Sequence, residues 1–282
     1  MSHGWLIWLM HYFFMGCQVI KRILIFICLL FILSCEEVVI EQDNPLDDNN
    51  PDYTPPTIDF IVSPDDGSVL TTSDVVFEWE GNELVTEYRQ KFNEQAWGDW
   101  SDQTSVVLQY LDEGDYSFAI QGRYESGDTS SVLVLNFTVN AVSGPALIFF
   151  PRANITSVGS NVTFQVMAEE VTNLTAAQFN ISFDPSKLEI LSVTQGAMLQ
   201  ISGESIFDVD YDNATGSVSV ITAALGGSQP AVDGTGVLLE LELKVNGAGT
   251  STLEFDGTEL FRDPDNNDIT IAQKVNGIVK TE

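Results

Sequence analysis

Residues 177–183, which read Ala-Gln-Phe-Asn-Ile-Ser-Phe, decide the fold of the second half of the chain. Apolar residues occupy every odd position, and polar residues occupy every position between them. A period of two places the apolar side chains on one face of a β-strand. The stretch therefore predicts a strand that buries one face in a core and turns Gln178, Asn180 and Ser182 toward solvent.

The same alternation recurs on both sides of this stretch, in residues 161–168 and 239–245. Short β-rich runs also fill the first half of the chain, and Asp- and Gly-rich turns such as Asp65-Asp66-Gly67 separate them. Frequent turn signals between short strands favour antiparallel sandwiches over helical folds. We therefore predict an all-β protein, with one sandwich domain over residues 58–140 and a second over residues 141–282.

Residues 58–140 resemble an immunoglobulin-like or fibronectin-III-like domain. The resemblance lies in Phe77-Glu78-Trp79, in Trp97-Gly98-Asp99-Trp100-Ser101 and in the segment 111–118. In that segment Tyr116 is expected to form the tyrosine corner of such sandwiches, in which its hydroxyl bonds back to the upstream backbone.

The charge and the distribution of rare residues exclude several classes of function. The chain has 41 acidic and 11 basic residues, for a formal net charge of −30, and such a surface repels nucleic acid. Every His and Cys lies within the first 35 residues. The rest of the chain therefore lacks the usual zinc ligands, histidine-activated nucleophiles and disulfides. The composition does not exclude sites that need only oxygen ligands, namely calcium sites and carboxylate pairs.

The N-terminus predicts a secretory leader. Lys21-Arg22 precedes the apolar run 23–33, and Ile32-Leu33-Ser34-Cys35 resembles a bacterial lipobox. We expect a signal peptide over residues 1–34, with Met15 as an alternative translation start, and lipidation of Cys35. The other interpretation is a membrane helix hairpin across residues 4–34.

Residues 35–57 are rich in Asp, Glu and Pro and contain no Lys or Arg, so we expect an extended tether. Glu36-Glu37 resembles the acidic export signal of surface lipoproteins in the Bacteroidetes group. The sequence therefore predicts a protein at the bacterial outer membrane or cell surface that contacts the membrane through its lipid anchor only.

Residues 145–281 resemble a cohesin, the receptor module of cellulosomes. The most recognisable string is Phe183-Asp184-Pro185-Ser186-Lys187-Leu188-Glu189-Ile190. The remaining matches follow in the family's order, over residues 158–164, 171–179, 216–220, 234–241 and 277–279.

This resemblance implies a nine-stranded jelly-roll sandwich that binds a dockerin, a small calcium-loaded helical module, on one sheet face. The places of two familiar polar contacts, an Asn and an Asp, hold Ala176 and Gln178 here. A hydrophobic contact of the family aligns with Ile221. The candidate partner-binding residues are therefore Gln178, Asn180, Ser182 and Ile221.

Two other groups of oxygen ligands were considered as sites. Residues 262–268 are dense in Asp and Asn and could hold calcium, although a hairpin turn also explains them. Asp208, Asp210 and Asp212 alternate along a predicted strand and would line one face of it. Glycosidase chemistry needs a carboxylate pair in a cleft, so we expect no catalysis from these aspartates. We also expect no metal site and no cofactor.

The leading interpretation is a non-catalytic surface lipoprotein that binds a dockerin-bearing partner in polysaccharide degradation. The first alternative is direct glycan binding, because the cohesin fold also resembles carbohydrate-binding modules. In the first domain, Trp97 and Trp100 could separately form a sugar-stacking surface. The second alternative is a structural or adhesive surface protein.

Overall fold

The computed structural model describes residues 44–200, 204–226 and 231–282, with Thr258 described by its backbone alone. The predicted signal peptide, Cys35 and the first part of the tether lie outside the described residues. Within the described residues, no helix has the length and apolar character needed to cross a membrane. Two compact units divide at residue 54.

The described part of the first unit, residues 44–54, consists of turns. Asn44 Oδ1 accepts a hydrogen bond of 3.0 Å from the Leu46 N–H, and Asp47 Oδ1 accepts one of 2.9 Å from the Asn49 N–H. Short polar side chains that bond to the backbone two residues ahead are typical of Asx turns.

The second unit begins with a sandwich of seven strands. One sheet has the order β1-β3-β5 and the other the order β2-β7-β6-β4. The strands are β1 (Ile58–Val62), β2 (Ser68–Leu70), β3 (Val75–Gly81), β4 (Glu87–Phe92), β5 (Ser105–Leu108), β6 (Gly114–Arg123) and β7 (Leu133–Val139).

Aromatic rings fill the core of this first sandwich. Phe77 of β3 and Phe118 of β6 stack with their centroids 4.1 Å apart, and both are fully buried. The Tyr116 hydroxyl donates a hydrogen bond of 2.9 Å to the Asp112 carbonyl. The predicted tyrosine corner is therefore confirmed.

Eleven strand segments form a second sandwich after residue 145. Its two sheets have the orders β12-β15-β10-β8-β17 and β13-β14-β11-β16-β18-β9. The segments are β8 (Ala146–Phe150), β9 (Ala153–Thr156), β10 (Asn161–Leu174), β11 (Ala176–Ser182), β12 (Leu188–Gln195), β13 (Ser205–Asp212), β14 (Ser217–Ala224), β15 (Val232–Val245), β16 (Thr250–Arg262), β17 (Gln273–Val275) and β18 (Gly277–Thr281).

The first and last strands of this sandwich each break and change sheet. The turn at Pro151-Arg152 separates β8 from β9, and Asn276 separates β17 from β18. Proline has no N–H to donate, so it interrupts a ladder at this point. When each broken strand is counted once, the described residues of this sandwich form the nine strands expected from the resemblance.

The apolar faces of the two sheets pack on a shared core. Ala177, Phe179 and Ile181 of β11 are buried, and so are Phe164 of β10 and Leu241 of β15. The period-two patterns therefore placed these strands correctly, and the all-β prediction is confirmed.

A β-bulge interrupts the alternation of β10. Ala168 pairs with Gly236 and Val171 with Gly234, so Glu169 and Glu170 together oppose Thr235. Glu170 has a φ of 50°, and its N–H donates a hydrogen bond of 3.1 Å to the Thr235 hydroxyl. The extra residue shifts the phase of the strand, so that Val171 rather than Glu170 is buried after Ala168. Glu169 lies on the opposite face with Met167 and is buried at a cavity that Glu113 and Val142 also line.

Candidate functional site

The predicted contact residues lie together on the solvent face of the six-stranded sheet. Gln178, Asn180 and Ser182 alternate with buried residues along β11. Ile221 of β14 pairs directly with Gln178, and its side chain is 41% exposed. Directly paired residues place their side chains on the same side of a sheet, so all four share one surface.

Strand register extends this surface into three cross-strand rows over β13, β14, β11 and β16. We call these rows the β11 face. The rows are Asp208–Ile221–Gln178–Leu260, Asp210–Ser219–Asn180–Asp256 and Asp212–Ser217–Ser182–Glu254.

The centre of the β11 face is small and polar. Within the described part of the chain, the side chains of Gln178 and Asn180 have no intramolecular hydrogen bond. Their amide groups are therefore available to a partner, and an amide can donate and accept without the desolvation cost of a charge.

Carboxylates border this centre on both sides. Asp208, Asp210 and Asp212 lie on β13, and Glu254 and Asp256 lie on β16. All five are exposed, and none of them takes part in an ion pair in the described ranges. The β11 face is therefore strongly negative at its borders, which favours a basic partner.

The hydrogen bonding of Asp212 keeps one of these carboxylates charged. The Ala214 N–H donates a hydrogen bond of 2.8 Å to Asp212 Oδ1, and this bond lowers the pKa of Asp212. A hydrogen bond to the charged form favours ionisation.

The three aspartates of β13 line one strand face, as predicted, but that face is an open sheet surface. A glycosidase would need two carboxylates that flank a sugar in a cleft. Asp208 and Asp210 instead point to solvent beside Ile221 and Ser219.

Residues 262–268 form a hairpin turn closed by their own side chains. Asp263 Oδ1 accepts a hydrogen bond of 2.7 Å from the Asn267 N–H, and Arg262 forms an ion pair with Asp268. In the ranges that the structure describes, no group of three or more His, Cys, Asp or Glu residues is placed to hold a metal ion.

Arginine side chains cover the tryptophan surface considered for sugar stacking. The guanidinium of Arg89 lies 4.8 Å from the ring centroid of Trp97 and 4.7 Å from that of Trp100. Arg123 lies 4.5 Å from Trp100 and pairs with Glu87 at 2.6 Å. The aromatic surface is therefore used in cation–π contacts within the first sandwich.

Sequence reasoning missed two features of the site region. Glu254 and Asp256 join the β11 face only through strand register, and a bulge in β16 between Asp256 and Leu260 hides that register in the sequence. The buried Glu169 was missed because Glu113 and Val142 lie over the outer face of β10 at this point. A pair of acidic residues inside an otherwise alternating strand, as in Glu169-Glu170, is the available signal.

Together these features define an all-β protein whose second sandwich presents a flat, polar, acid-bordered sheet face. Residues 148–280 match the family model of the cohesin domain, which confirms the resemblance over that range. The match contains β10 to β17 entire and therefore every strand of the β11 face. No curated protein matches the chain.

Several solved cohesin structures are similar to the second sandwich. A non-cellulosomal cohesin of Archaeoglobus fulgidus is 22% identical, with a TM-score of 0.41, and the match covers 49% of this chain and 90% of that one. The sixth cohesin of Acetivibrio cellulolyticus scaffoldin B, in complex with a dockerin, is 22% identical, with a TM-score of 0.44 and coverage of 50% and 100%. A type I cohesin–dockerin complex of Clostridium thermocellum is 19% identical, with a TM-score of 0.43, and the match covers 49% of this chain and 98% of that one.

Proposed function

We propose that this chain is a non-catalytic, lipid-anchored surface protein whose second sandwich binds a dockerin-bearing partner through the β11 face. The observation that carries the proposal is the cohesin family match over residues 148–280, which includes all four strands of that face. Members of that family act as receptors for dockerins, and we extend this role to the present chain.

The dimensions of the β11 face suit a helix. Adjacent strands lie about 4.8 Å apart, so the borders on β13 and β16 are separated by roughly 14 Å. A helix with its side chains is about 10–12 Å wide and fits between those borders. Its polar groups would meet the amides of Gln178 and Asn180, and its flanking basic side chains would meet the carboxylates.

Ala176 and Gln178 stand where the resemblance leads us to expect an Asn and an Asp, and this difference indicates what kind of dockerin would bind. A carboxylate at position 178 would demand a donor or a cation, whereas the Gln178 amide both donates and accepts. We therefore propose a partner helix that presents a small hydroxyl or amide group to β11 and basic residues to β13 and β16.

The proposal is tested with the full chain as bait, solubilised in detergent, against culture supernatant with and without a calcium chelator. We expect calcium-dependent recovery of a protein with a dockerin module. The variant Ile221→Arg should abolish recovery, because it puts a long cation at the centre of the β11 face. Val107→Arg is the matched control, since Val107 of β5 is an exposed apolar residue of the first sandwich, at 53% exposure.

Recovery that is unchanged in Ile221→Arg would contradict the β11 face as the binding surface. Glycan-array binding without a protein partner would favour the carbohydrate-binding alternative instead.

The lipid anchor, the surface display and the role of the protein in polysaccharide degradation are separate parts of the proposal. Labelled palmitate should enter the wild-type chain, whereas Cys35→Ala should remain unlabelled. Protease treatment of intact cells should cleave the displayed protein, and protection from protease would contradict outward display. A dockerin-tailed glycoside hydrolase among the recovered partners would support the role in polysaccharide degradation.

A further inference from the structure

A buried carboxyl group, that of Glu169, and a half-buried one, that of Glu113, lie where the first and second sandwiches meet. Glu169 of the β10 bulge is only 8% exposed, and its Oε2 atom has no hydrogen-bond donor among the described residues. The carboxyl group of Glu113, which precedes β6 in the first sandwich, lies within hydrogen-bonding reach of Glu169. Two carboxyl groups can share a hydrogen bond only when one of them carries a proton.

The residues around this pair connect the two sandwiches. Glu113 Oε1 accepts a hydrogen bond of 2.7 Å from the Val142 N–H, and Asp112 Oδ1 accepts one of 2.6 Å from the Arg152 N–H. A cavity of about 160 Å³ lies among these residues and is also lined by Glu169. The contacts from Asp112 and Glu113 thus span from the first sandwich to the start of the second.

Charges on every side of Glu169 determine how it titrates. Burial, followed by the adjacent Glu113, raises the pKa of Glu169 to about 7. Glu170 of the same bulge acts in the same direction, whereas Arg152, from the turn after β8, acts in the opposite direction. Asp112 faces the same cavity and is also buried enough to raise its pKa, while β15 and β17 contribute only uncharged residues there, Thr235 and Val275.

The sign of the effect follows from linkage. A carboxyl group whose pKa is higher in the folded state than in the unfolded chain stabilises the fold while it is protonated. That contribution is present in full below the ordinary pKa of 4.5 and is lost as the pH rises to about 7. Above that pH, Glu113 and Glu169 would be two like charges held in a buried space.

We propose that Glu113 and Glu169 form a proton-dependent latch, in which one shared proton holds the two sandwiches together and its loss loosens the joint. This function is independent of partner binding, because the pair lies on β10 and on the first sandwich rather than on the β11 face.

Hydrogen–deuterium exchange of the full chain in detergent tests the latch. The peptide that contains Val142 and Arg152 is followed between about pH 5.5 and about pH 8.5, with rates normalised to the intrinsic exchange at each pH. We expect this peptide to exchange roughly thirtyfold faster at the upper pH, because a carboxyl group with a pKa of about 7 in the closed joint and 4.5 in the open joint shifts the opening equilibrium by that factor between these two pH values. A core peptide from β14 should keep its normalised rate.

Glu169→Gln supplies the decisive comparison. The neutral amide retains the shape and can donate to Glu113, so the joint peptide should become independent of pH. Glu113→Gln should reduce the pH dependence without abolishing it, because burial still raises the pKa of Glu169. Glu78→Gln, on the exposed surface of β3, is the matched control that leaves the pH dependence unchanged.

Infrared difference spectra give a second measurement that does not depend on the joint. The wild-type chain should show the loss of a protonated carboxyl band with a midpoint near the pKa of about 7, and Glu169→Gln should lack that band. The latch is overturned if the joint peptide exchanges equally at both pH values in the wild type, or if Glu169→Gln retains the wild-type pH dependence.

Discussion

Gly216 illustrates how the second sandwich specifies single residues. It closes the turn between β13 and β14 with a φ of 71°, and its carbonyl accepts a hydrogen bond of 2.8 Å from the Phe183 N–H. A Cβ atom at this position would lie 2.1 Å from the Phe183 carbonyl oxygen. Both the backbone conformation and the space therefore require glycine at the point where the Asp184-Pro185 turn begins.

Gly216→Ala should lower the free energy of unfolding by about 3 kcal/mol, from the left-handed backbone and the forced displacement of Phe183 together. Gly159→Ala is the control. Gly159 also has a positive φ, of 94°, but no atom lies within 4 Å of the added Cβ. Its cost should be about 1 kcal/mol. Equal losses in urea unfolding of the two variants would contradict the steric part of the argument.

Some single residues could be placed from the sequence and others could not. Tyr116 was placed correctly because the tyrosine corner is a local motif, with donor and acceptor four residues apart. Gln178 and Ile221 were placed on one surface through alternation and the family resemblance. Glu169 could not be placed, because its burial depends on Glu113 and Val142, which lie outside the strands of the second sandwich.

At the scale of secondary-structure elements, the segment 97–101 is held against the outer surface of the first sandwich by stacked cations. Arg89 projects from β4 and Arg123 from β6, and these strands are hydrogen-bonded neighbours. Gln121 fixes Arg89 by accepting hydrogen bonds of 3.0 and 2.6 Å from its guanidinium. The segment is therefore ordered by side chains that come from two different strands.

Trp100→Ala should destabilise the chain more than Trp97→Ala. Trp100 contacts two guanidinium groups and Trp97 contacts one. With about 0.5–1 kcal/mol for each cation–π contact plus lost packing, we expect losses of roughly 3 and 2 kcal/mol. Thermal unfolding at fixed pH measures both, and a larger loss for Trp97→Ala would contradict this account.

Most of the strands could be predicted from the sequence. Their breaks, and the pairs of Arg and Trp side chains that stack on each other, could not. Alternation located β10, β11 and β15, since each has one face in a core. Periodicity carries no information about which Arg stacks on which Trp, because that contact depends on sheet register. The same limitation applies to the acidic border on β16, which a bulge brings into line with Asn180.

At the scale of the whole molecule, charge is the dominant property. The chain carries a formal net charge of −30, and the borders of the β11 face concentrate part of it around the proposed binding surface. Opposite charges across an interface mainly accelerate association, and salt screens them. The proposed partner should therefore bind quickly at low ionic strength.

The affinity for that partner should fall about tenfold or more between low salt and about 0.5 M salt, mainly through a slower association rate. The double variant Asp208→Asn, Asp210→Asn should weaken binding and reduce this salt dependence. Asp59→Asn with Glu78→Gln removes the same charge from exposed positions of the first sandwich and should change neither. Surface plasmon resonance measures both rates, and a salt dependence unaltered in the β13 variant would contradict the prediction.

The divided first and last strands have a mechanical consequence. β8 runs parallel to β17 and antiparallel to β10, and β9 runs parallel to β18, so the chain enters the second sandwich through a segment bonded to three neighbours. A pull on residue 146 directed along β8 would load this segment along its own axis. Every hydrogen bond in its ladders would then be sheared at once rather than opened one after another, which is the geometry that best resists traction.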